Sequence, residues 1–402
     1  MTLWVLWATY GSFYLCRTNL SAALPGIEDE FGFSKTDMAS VLISLKIAYG
    51  IGQLVNGQLA ERISPRIMLA TGMLASIALN LVFGAGASIW FFSFVWAMNG
   101  YSQALGWTPT MRVAANWMPV AIRGRSIGII GTGYMVGASL SYVLSGWAVD
   151  EFGWRGGLYV PSAVLFVACL HMLLLLRVAP DTGAESAAAR AEGSQRPFRE
   201  TLRLTLTNGD LWLLAVALGL LNACRYGYLD WGIFLIKEVQ GESVGKSAIK
   251  FAILPAGGIL GALGAGWVTD RLFGGRRAPV ICGMLVALAL LTILFKTAVE
   301  AGNLATVSVL FAIGVTIYGP QVLLVGTAPT DMARAGAVAS AVGFVNFMGY
   351  MGASAGDWFT ARVADSERGW DGVYWLWASW ALVAAACVAV LWNRRAVKES
   401  IE

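Results

Sequence analysis

A series of long apolar segments, separated by short polar stretches, constrains the fold of this chain more than any other feature. Apolar runs of about 18 residues or more recur along the 402 residues, and an α-helix of that length crosses a hydrocarbon core about 30 Å thick. Hydrophobic residues make up 57% of the chain and charged residues only 13%, which is more apolar surface than a soluble domain can bury. We therefore predict an all-α protein that crosses a lipid bilayer many times.

The apolar segments number about twelve when the chain is divided at charged or Pro/Gly-rich stretches. They fall at 2–25, 37–60, 67–88, 89–115, 125–149, 156–177, 209–236, 246–268, 279–297, 303–327, 335–361 and 370–393. The longest polar stretch, RVAPDTGAESAAARAEGSQRPFRETLR, lies between the sixth and seventh segments and has the composition of a linker. We predict an N-terminal six-helix bundle at 1–178, a cytoplasmic linker at 179–208 and a C-terminal six-helix bundle at 209–402.

The distribution of lysine and arginine predicts how the chain lies in the membrane. Most of these residues fall in connecting segments on the side of the N-terminus, and the first segment on the opposite side, GIEDEF, is acidic. Because basic residues are enriched in cytoplasmic loops, we expect both termini in the cytoplasm and the protein in the cell (inner) membrane. Met1 leads directly into the first span without a basic segment, so we expect no cleavable signal peptide.

Composition and motifs argue against several other classes of protein. The net charge of +4 is small and scattered, so we expect no nucleic-acid partner. The five cysteines lie in apolar segments, the single histidine, His171, lies near a helix end, and the sequence has no metal-ligand spacing. The sequence also has no nucleophile and base pair and no Walker loop. We therefore expect no enzymatic activity, no cofactor and no metal.

Three motifs recur in the two halves of the chain at nearly one spacing. Cys16-Arg17 in the first span is followed 208 residues later by Cys224-Arg225 in the seventh. NGQLAERISPR after the second span resembles AGWVTDRLFGGRR after the eighth, and FGWRGGLYV resembles RGWDGVYWL near the end of each half. Two parallel six-helix repeats are the plan of major facilitator transporters, whose substrate site lies near the membrane midplane between the halves. The repeats therefore predict a major facilitator fold.

Three basic residues lie well inside the predicted spans, away from their ends: Arg17, Lys46 and Arg225. Each is about 12 to 16 Å from the outer end of its span, and a charge at that depth normally faces a bundle interior or an aqueous cavity. The carboxylates most nearly inside spans, Asp230 and Asp357, lie closer to the outer ends. The sequence thus predicts a cavity with excess positive charge that a bound anion neutralises. For Lys46 two interpretations remain open: contact with the substrate, or an ion pair with Asp230 that closes an outward gate.

Arginine presents a planar fork of donors that matches phosphate in bidentate fashion, and tyrosine hydroxyls can bind the remaining oxygens. We predict that Arg17 and Arg225, one from each half, bind one phosphate. Polar side chains that share helical faces with the three basic residues complete the predicted substrate site; they are Tyr10, Tyr14, Tyr49, Gln53 and Tyr228. For the tyrosines, simple packing is the alternative interpretation.

Paired charges follow the second and eighth spans at their predicted cytoplasmic ends. These pairs are Glu61 with Arg62, and Asp270 with Arg271. Their repeated position predicts gating loops rather than chemistry.

Several stretches together resemble one family, the organophosphate:phosphate antiporters of the major facilitator superfamily. The most specific are FYLCRTNLSAALP, IAYG, GWTPTMR, RYGYLDWGIFLIKEV, YGPQVLLVG and GYMGASAGD. The resemblance runs over nearly the whole chain. It implies that Arg17 and Arg225 are the phosphate-binding arginines, with Tyr10 and Tyr14 near them. It also implies exchange of a phosphorylated metabolite for inorganic phosphate by rocking of the two halves.

Two positions depart from this family. Bacterial members often carry a lysine shortly after AYG, where this chain has Gln53, and Lys46 lies two turns earlier on the same face. Tyr134 aligns with a fifth-span histidine of the glycerol-3-phosphate transporter, so we add Tyr134 to the predicted substrate site. Both differences make glycerol 3-phosphate a doubtful substrate and leave phosphate recognition intact.

The sequence thus predicts a monomeric secondary transporter that exchanges an organic phosphate, of sugar-phosphate or glycerol-phosphate type, for inorganic phosphate by alternating access. One alternative is a proton-coupled organic-anion symporter of the same fold, which requires a titratable group in the cavity; Asp230 and Asp357 are the candidates. The other alternative is a transporter-like sugar-phosphate sensor, since some members of this family are sensors.

Overall fold

The computed structural model of the chain describes residues 1–60, 62–179, 198–334 and 337–394. Across these ranges the regular structure is helical. The α-helices are α1 (Thr2–Ser12), α2 (Leu20–Phe31), α3 (Lys35–Leu59), α4 (Pro65–Phe83), α5 (Ile89–Gln103), α6 (Trp107–Trp117), α7 (Val120–Phe152), α8 (Gly156–Leu175), α9 (Phe198–Leu206), α10 (Gly209–Gln240), α11 (Val244–Phe251), α12 (Ile253–Leu272), α13 (Arg277–Ala301), α14 (Asn303–Val322), α15 (Ala328–Met332), α16 (Val338–Ala364) and α17 (Gly369–Ala389). A 3₁₀ turn covers Phe13–Cys16, and a π-helical turn covers Leu323–Thr327.

Each of the twelve predicted spans coincides with one helix or with an interrupted pair of helices, so the predicted all-α membrane fold is confirmed. Among the described residues, eight helical segments are long and apolar enough to cross a membrane by length and composition alone. Four predicted spans fall outside this set. The first and fourth do so because interruptions divide them into shorter helices, α1 with α2 and α5 with α6, and the other two are the second (α3) and the eleventh (α16). Helix α9 lies in the stretch predicted to be the linker, and 180–197 lie outside the described residues.

Contacts between Cα atoms divide the chain into two compact units. The first unit comprises Met1–Glu192 with Leu229–Pro255, and the second comprises Gly193–Tyr228 with Ala256–Glu402. Helix α10 therefore contributes its first part to the second unit and its last part to the first. The bundle boundaries at 178 and 209 stay a prediction.

Glycines bring helices of the first unit into close contact. A Cβ atom at Gly137 of α7 would lie 2.0 Å from the carbonyl oxygen of Gly11 in α1, and one at Gly100 of α5 would lie 2.3 Å from that of Leu45 in α3. Only glycine permits such close approach of two backbones. These contacts hold α1 against α7 and α3 against α5, and so fix the helices that carry the predicted site.

The turn between α2 and α3 has clear local causes. Gly32, with φ of 68°, ends α2 in the left-handed conformation. Ser34 and Asp37 then form a capping box, in which each side chain accepts a hydrogen bond from the other's backbone N–H. The sequence ended the first span at Pro25, but Pro25 lies inside α2 and the helix continues to Phe31.

Helix α11 packs on the rest of the first unit, chiefly on α7, and the end of α10 is hydrogen-bonded to α7. The hydroxyl group of Tyr142 donates to the carbonyl of Leu229 at 3.2 Å. The backbone N–H of Gly245 donates to the Asp150 carboxylate at 3.1 Å. Leu229–Pro255 is thereby tied to α7 by polar contacts.

Candidate substrate-binding site

The first span is interrupted where Arg17 lies. Helix α1 ends at Ser12, the 3₁₀ turn runs to Cys16, and α2 begins at Leu20. The backbone N–H groups of Arg17 and Thr18 both donate to the carbonyl oxygen of Tyr14, at 3.2 and 3.1 Å. Helical spacing in the sequence predicted that Tyr10, Tyr14 and Arg17 lie on one face of a continuous helix. The structure places the two tyrosines before or within the turn and Arg17 at its end.

The guanidinium group of Arg17 lies against two tyrosine rings. Its Cζ atom is 4.1 Å from the ring centroid of Tyr49 on α3 and 5.1 Å from that of Tyr14. An arginine in this position gains cation–π stabilisation from the rings, and its planar N–H fork retains the geometry that suits an oxyanion. Two of the residues predicted to surround Arg17 therefore do contact it.

The remaining predicted tyrosines of the first unit join this aromatic cluster. Tyr14 stacks on Tyr134 of α7 with ring centroids 5.3 Å apart, and Tyr10 meets both rings edge-on at 6.1 and 6.3 Å. Tyr10 also packs on Trp107, the first residue of α6, at 4.8 Å. The sequence did not predict a role for Trp107, although it lies in the GWTPTMR stretch that carries the family resemblance.

Lys46 forms an ion pair inside the first unit. Its Nζ atom lies 2.7 Å from the Asp230 carboxylate, and the lysine side chain is only 2% exposed. Lys46 precedes Tyr49 by three residues on α3, so the ammonium group and the ring that contacts Arg17 share one side of that helix. The structure therefore contains the ion pair of the gating interpretation, and contact of Lys46 with a substrate stays a prediction.

Gln53 lies one turn after Tyr49 on α3 and is half-buried. Among the described residues, its buried side-chain nitrogen has no hydrogen-bond partner. A buried amide donor of this kind is able to bind a polar ligand group. The predicted contact of Gln53 with the substrate stays a prediction.

In the second unit, Arg225 has a similar aromatic environment. It lies on α10 and is 6% exposed. Its guanidinium carbon is 4.8 Å from the ring centroid of Tyr226 and 5.0 Å from that of Tyr318 on α14. Sequence reasoning missed both rings, although Tyr226 belongs to the RYGYLDWGIFLIKEV stretch and Tyr318 to the YGPQVLLVG stretch. Each unit thus places one arginine of the repeated Cys-Arg motif against two tyrosine rings.

Tyr228, which the sequence paired with Arg225, lies in the core of the second unit. It is fully buried, its hydroxyl group donates to Thr292 at 3.1 Å, and its ring lies 4.3 Å from that of Trp377. These contacts agree with the alternative interpretation of this tyrosine, in which it packs in the core. Its contact with the substrate stays a prediction.

The predicted gating loops differ from each other in detail. Glu61 lies outside the described residues, and Arg62 is exposed. Asp270 forms an ion pair with Arg277 at 2.9 Å, and Arg277 also contacts Asp331 at 3.2 Å.

Arg271, the predicted companion of Asp270, is exposed. In the first unit, Arg112 stabilises the loop that follows α3: its guanidinium group donates to the backbone carbonyls of Ala60 and Ile63. The sequence gave Arg112 no role. The gating roles of all four predicted residues stay a prediction.

The described residues contain no group of three His, Cys, Asp or Glu side chains that could hold a metal ion. The site chemistry rests instead on arginine, lysine, tyrosine and amide groups. Such groups bind and release an anion by hydrogen bonds and charge.

Three named proteins are similar to this chain over most of its length. The probable hexose phosphate transport protein of Chlamydia pneumoniae is 29% identical, over 96% of this chain and 89% of that protein. The glycerol-3-phosphate transporter of Bacillus subtilis strain 168 is 29% identical, over 96% and 90%. The membrane sensor protein UhpC of Escherichia coli K12 is 28% identical, over 92% and 87%.

The crystal structure of the nucleoside transporter NupG has a similar fold, with a TM-score of 0.75 at 15% identity over 98% of this chain and all of that one. The sequence model of the Major Facilitator Superfamily matches residues 6–356. The predicted twelve-span plan and the paired Cys-Arg motifs agree with this match. The chain therefore belongs to the Major Facilitator Superfamily, as a multi-pass membrane transport protein and not an enzyme.

Proposed function

We propose that this protein exchanges an organic phosphate, of sugar-phosphate or glycerol-phosphate type, for inorganic phosphate by alternating access. The observation that carries the proposal is the repeated arginine environment. Arg17 and Arg225 each lie against two tyrosine rings inside predicted membrane spans. Two relatives whose names specify hexose phosphate or glycerol 3-phosphate transport support the phosphate class.

The chemistry of these groups suits a phosphoryl ligand. A phosphate ester carries a charge of about −1.5 to −2 at neutral pH and three strong acceptor oxygens. Arginine binds such oxygens in bidentate fashion, and the stacked rings reduce the number of side-chain conformations that binding must freeze. We propose Arg17 and Arg225 as the phosphate ligands. The tyrosines near Arg17, together with Gln53, supply further polar contacts.

Lys46 and Asp230 fit this proposal as a coupled pair. The carboxylate of Asp230 stabilises the charge of a lysine whose side chain is only 2% exposed. We propose that Lys46 adds positive potential near Arg17 and that its ion pair with Asp230 contributes to gating. Asp270, Arg271, Arg62 and Glu61 are the proposed gating residues of the loops after the second and eighth spans.

We further propose that the protein works as a monomer in the inner membrane of a bacterial cell, with both termini in the cytoplasm. The excess of basic residues in the segments on that side supports the orientation. Reporter fusions at residue 402 and in the segment after α2 test it. We expect the fusion at residue 402 to report a cytoplasmic location and the fusion after α2 to report the opposite side of the membrane. A cytoplasmic signal from the fusion after α2 would contradict the orientation.

Counterflow from proteoliposomes tests the exchange. Purified protein is reconstituted with radiolabelled inorganic phosphate inside, and efflux is started with external glucose 6-phosphate, glycerol 3-phosphate, inorganic phosphate, glucose or gluconate. We expect efflux only with phosphate-bearing compounds outside. Rapid efflux with no external substrate would contradict obligatory exchange. Uptake that follows an imposed pH gradient without internal phosphate would favour the proton-coupled symporter.

A sugar-phosphate sensor is the second candidate, because the similarity to UhpC covers 92% of this chain. A sensor and a transporter both bind the ligand, but only the transporter moves it. Thermal-shift titration of the purified protein with the same compounds measures binding directly. Stabilisation by a phosphate ester together with no counterflow in the vesicles would identify a sensor. Stabilisation by gluconate and not by phosphate esters would contradict the phosphate class itself.

A further inference from the structure

The interruption of the first span exposes backbone groups inside the membrane-spanning part of the protein. Between Ser12 and Leu20 the chain leaves the α-helical hydrogen-bond pattern. In a region without bulk water an unsatisfied carbonyl costs several kcal/mol, so such an interruption persists only where other groups bind the freed carbonyls. The partners of these carbonyls therefore decide whether Arg17 keeps its position.

Two buried asparagines bind the carbonyl oxygen at the centre of this interruption. The carbonyl of Cys16 accepts a hydrogen bond from the side-chain amide of Asn99 on α5 at 2.9 Å and a longer one from that of Asn80 on α4 at 3.4 Å. Both asparagines are 0% exposed. Two different helices thus supply amide donors to one backbone carbonyl.

A third asparagine, Asn19, orients Asn80. The side-chain nitrogen of Asn19 donates to the side-chain oxygen of Asn80 at 2.8 Å and to the carbonyl of Gly157 at 3.3 Å. The amide of Asn80 therefore accepts from Asn19 and donates toward Cys16. This chain of hydrogen bonds joins the segment after the interruption to α4 and to the start of α8.

The Cys16 carbonyl belongs to the same peptide group as the backbone N–H of Arg17. That N–H donates to Tyr14 at 3.2 Å, so hydrogen bonds hold this peptide group at both its carbonyl and its N–H. Because a peptide group is planar, fixing these two atoms also fixes the Cα atom of Arg17 relative to α4 and α5. The arginine side chain then starts from a defined point beside Tyr49.

We infer that Asn80 and Asn99 are positioning residues for Arg17: by binding the Cys16 carbonyl they hold the arginine where it meets its anionic ligand. This inference rests on the proposed function, in which Arg17 binds phosphate. The asparagines need not touch the substrate. Their contribution is to the geometry of a bidentate contact, which is lost when the guanidinium group is displaced by about 1 Å.

The test compares Asn99→Leu and Asn80→Leu in the full-length protein with Asn116→Leu. Asn116 also donates to a backbone carbonyl in the first unit, that of Val178 at 3.1 Å, but far along the chain from the interruption. Phosphate counterflow is measured as a function of external inorganic phosphate, and phosphate binding is measured by thermal shift. We expect Asn99→Leu to raise KM about tenfold and to change kcat less than about threefold. Asn80→Leu has a smaller effect because its bond is longer, and Asn116→Leu leaves KM unchanged.

A double-mutant cycle with Arg17→Lys separates positioning from general stabilisation. If the asparagine acts through the planar fork of Arg17, then Asn99→Leu in the Arg17→Lys background raises KM less than about twofold further. Multiplicative effects of the two changes would overturn the inference. Asn99→Ala, which adds no bulk, replaces Asn99→Leu if the leucine variant does not fold, and the same KM criteria apply to it.

The outcomes also separate this inference from the proposed function. Wild-type protein that responds to phosphate, together with an unchanged KM in Asn99→Leu and Asn99→Ala, would overturn the positioning role alone. Wild-type protein that responds to no phosphate compound would overturn both.

Discussion

The two units carry the same Cys-Arg motif but support it in different ways. In the first unit Arg17 follows a 3₁₀ turn, and side-chain amides from neighbouring helices bind the Cys16 carbonyl. In the second unit Arg225 lies within the continuous helix α10, whose own backbone hydrogen bonds support it. The repeat therefore preserves the cation and its aromatic neighbours, whereas the backbone conformation at the cation differs between the two units.

A single repeat position makes this divergence concrete. Two residues after the arginine, the first unit has Asn19 and the second has Gly227. Asn19 donates hydrogen bonds to Asn80 on α4 and to the carbonyl of Gly157 in α8. Gly227 lets α10 pass against the indole ring of Trp377, where a Cβ atom would lie only 2.6 Å from the ring. One unit gains polar contacts at this position, and the other gains close packing.

The largest expected effect comes from removing either arginine charge. We expect Arg17→Gln and Arg225→Gln each to lower the rate of phosphate counterflow by about 100- to 1,000-fold, because a lost charge-assisted bidentate contact costs about 3 to 4 kcal/mol. Lysine at either position should recover only part of the rate, since it lacks the planar fork. Arg203→Gln on the exposed side of α9 is the control and should leave the rate unchanged. Near-normal counterflow in one of the two arginine variants would show that the units are not functionally equivalent.

The sequence predicted the arginine pair and the two tyrosines that contact Arg17 for clear physical reasons. Apolar length determines the spans, and helical spacing places Tyr49 on the same side of α3 as Lys46. The interruption in the first span was not predictable in this way, because its residues Phe13–Cys16 contain neither proline nor glycine. Its cause is tertiary: side-chain amides on α4 and α5 donate hydrogen bonds to the freed Cys16 carbonyl. Contacts from distant elements, such as Tyr318 beside Arg225, were missed for the same reason.

The ion pair of the first unit predicts the next largest effect. We expect Asp230→Asn to lower the free energy of unfolding by about 3 kcal/mol, because it removes the carboxylate 2.7 Å from a lysine that is 2% exposed. Lys46→Met combined with Asp230→Asn should recover part of that loss. Chemical unfolding of the purified variants measures both.

The matched control is Asp29→Asn, whose carboxylate lies 3.4 Å from Lys237 and is 70% exposed. An exposed pair contributes about 1 kcal/mol or less. Equal losses in Asp230→Asn and Asp29→Asn would show that burial does not distinguish these pairs.

Gly227→Ala tests the packing solution of the second unit. The new methyl group would meet the indole of Trp377, whose N–H is already bound to Thr360 at 2.9 Å. Overpacking of this kind costs about 1 to 3 kcal/mol, so we expect a lower thermal midpoint and a modest rise in KM through displacement of α10. Gly209→Ala, at a glycine of α10 whose Cβ would meet nothing within 4 Å, is the control. Unchanged stability in Gly227→Ala would remove packing as the reason for glycine at this repeat position.

The smallest effect concerns the Trp motif near the end of each half, where the repeat reverses the sign of a charge. Arg155 follows Trp154 and binds Glu30 through two hydrogen bonds of 2.7 and 2.8 Å, while the corresponding Asp371 forms an ion pair with Lys296 at 2.9 Å. Glu30 lies beyond Pro25, where the sequence ends the first span. Hydrogen bonds from Arg155 and then from the Trp154 indole lower the pKa of Glu30 to about 2.

A lowered pKa in the folded state gives stability that is fully present above the ordinary pKa of a glutamate, near 4.5, and is lost as the pH falls toward the folded value. We therefore expect Glu30→Gln to lower the thermal midpoint by at most about 2 °C above pH 5, since the pair is partly exposed. The difference from the wild type should shrink steadily below pH 4.5. A difference that persists unchanged to pH 3 would mean that packing of the Glu30 side chain, and not its charge, stabilises this end of the first unit. Asp371 has the opposite charge at the equivalent position of the second half and pairs with Lys296. A loss that depends on pH in Glu30→Gln would therefore show that the first half also has a stabilising ion pair beside its tryptophan, with the sign of the charge reversed.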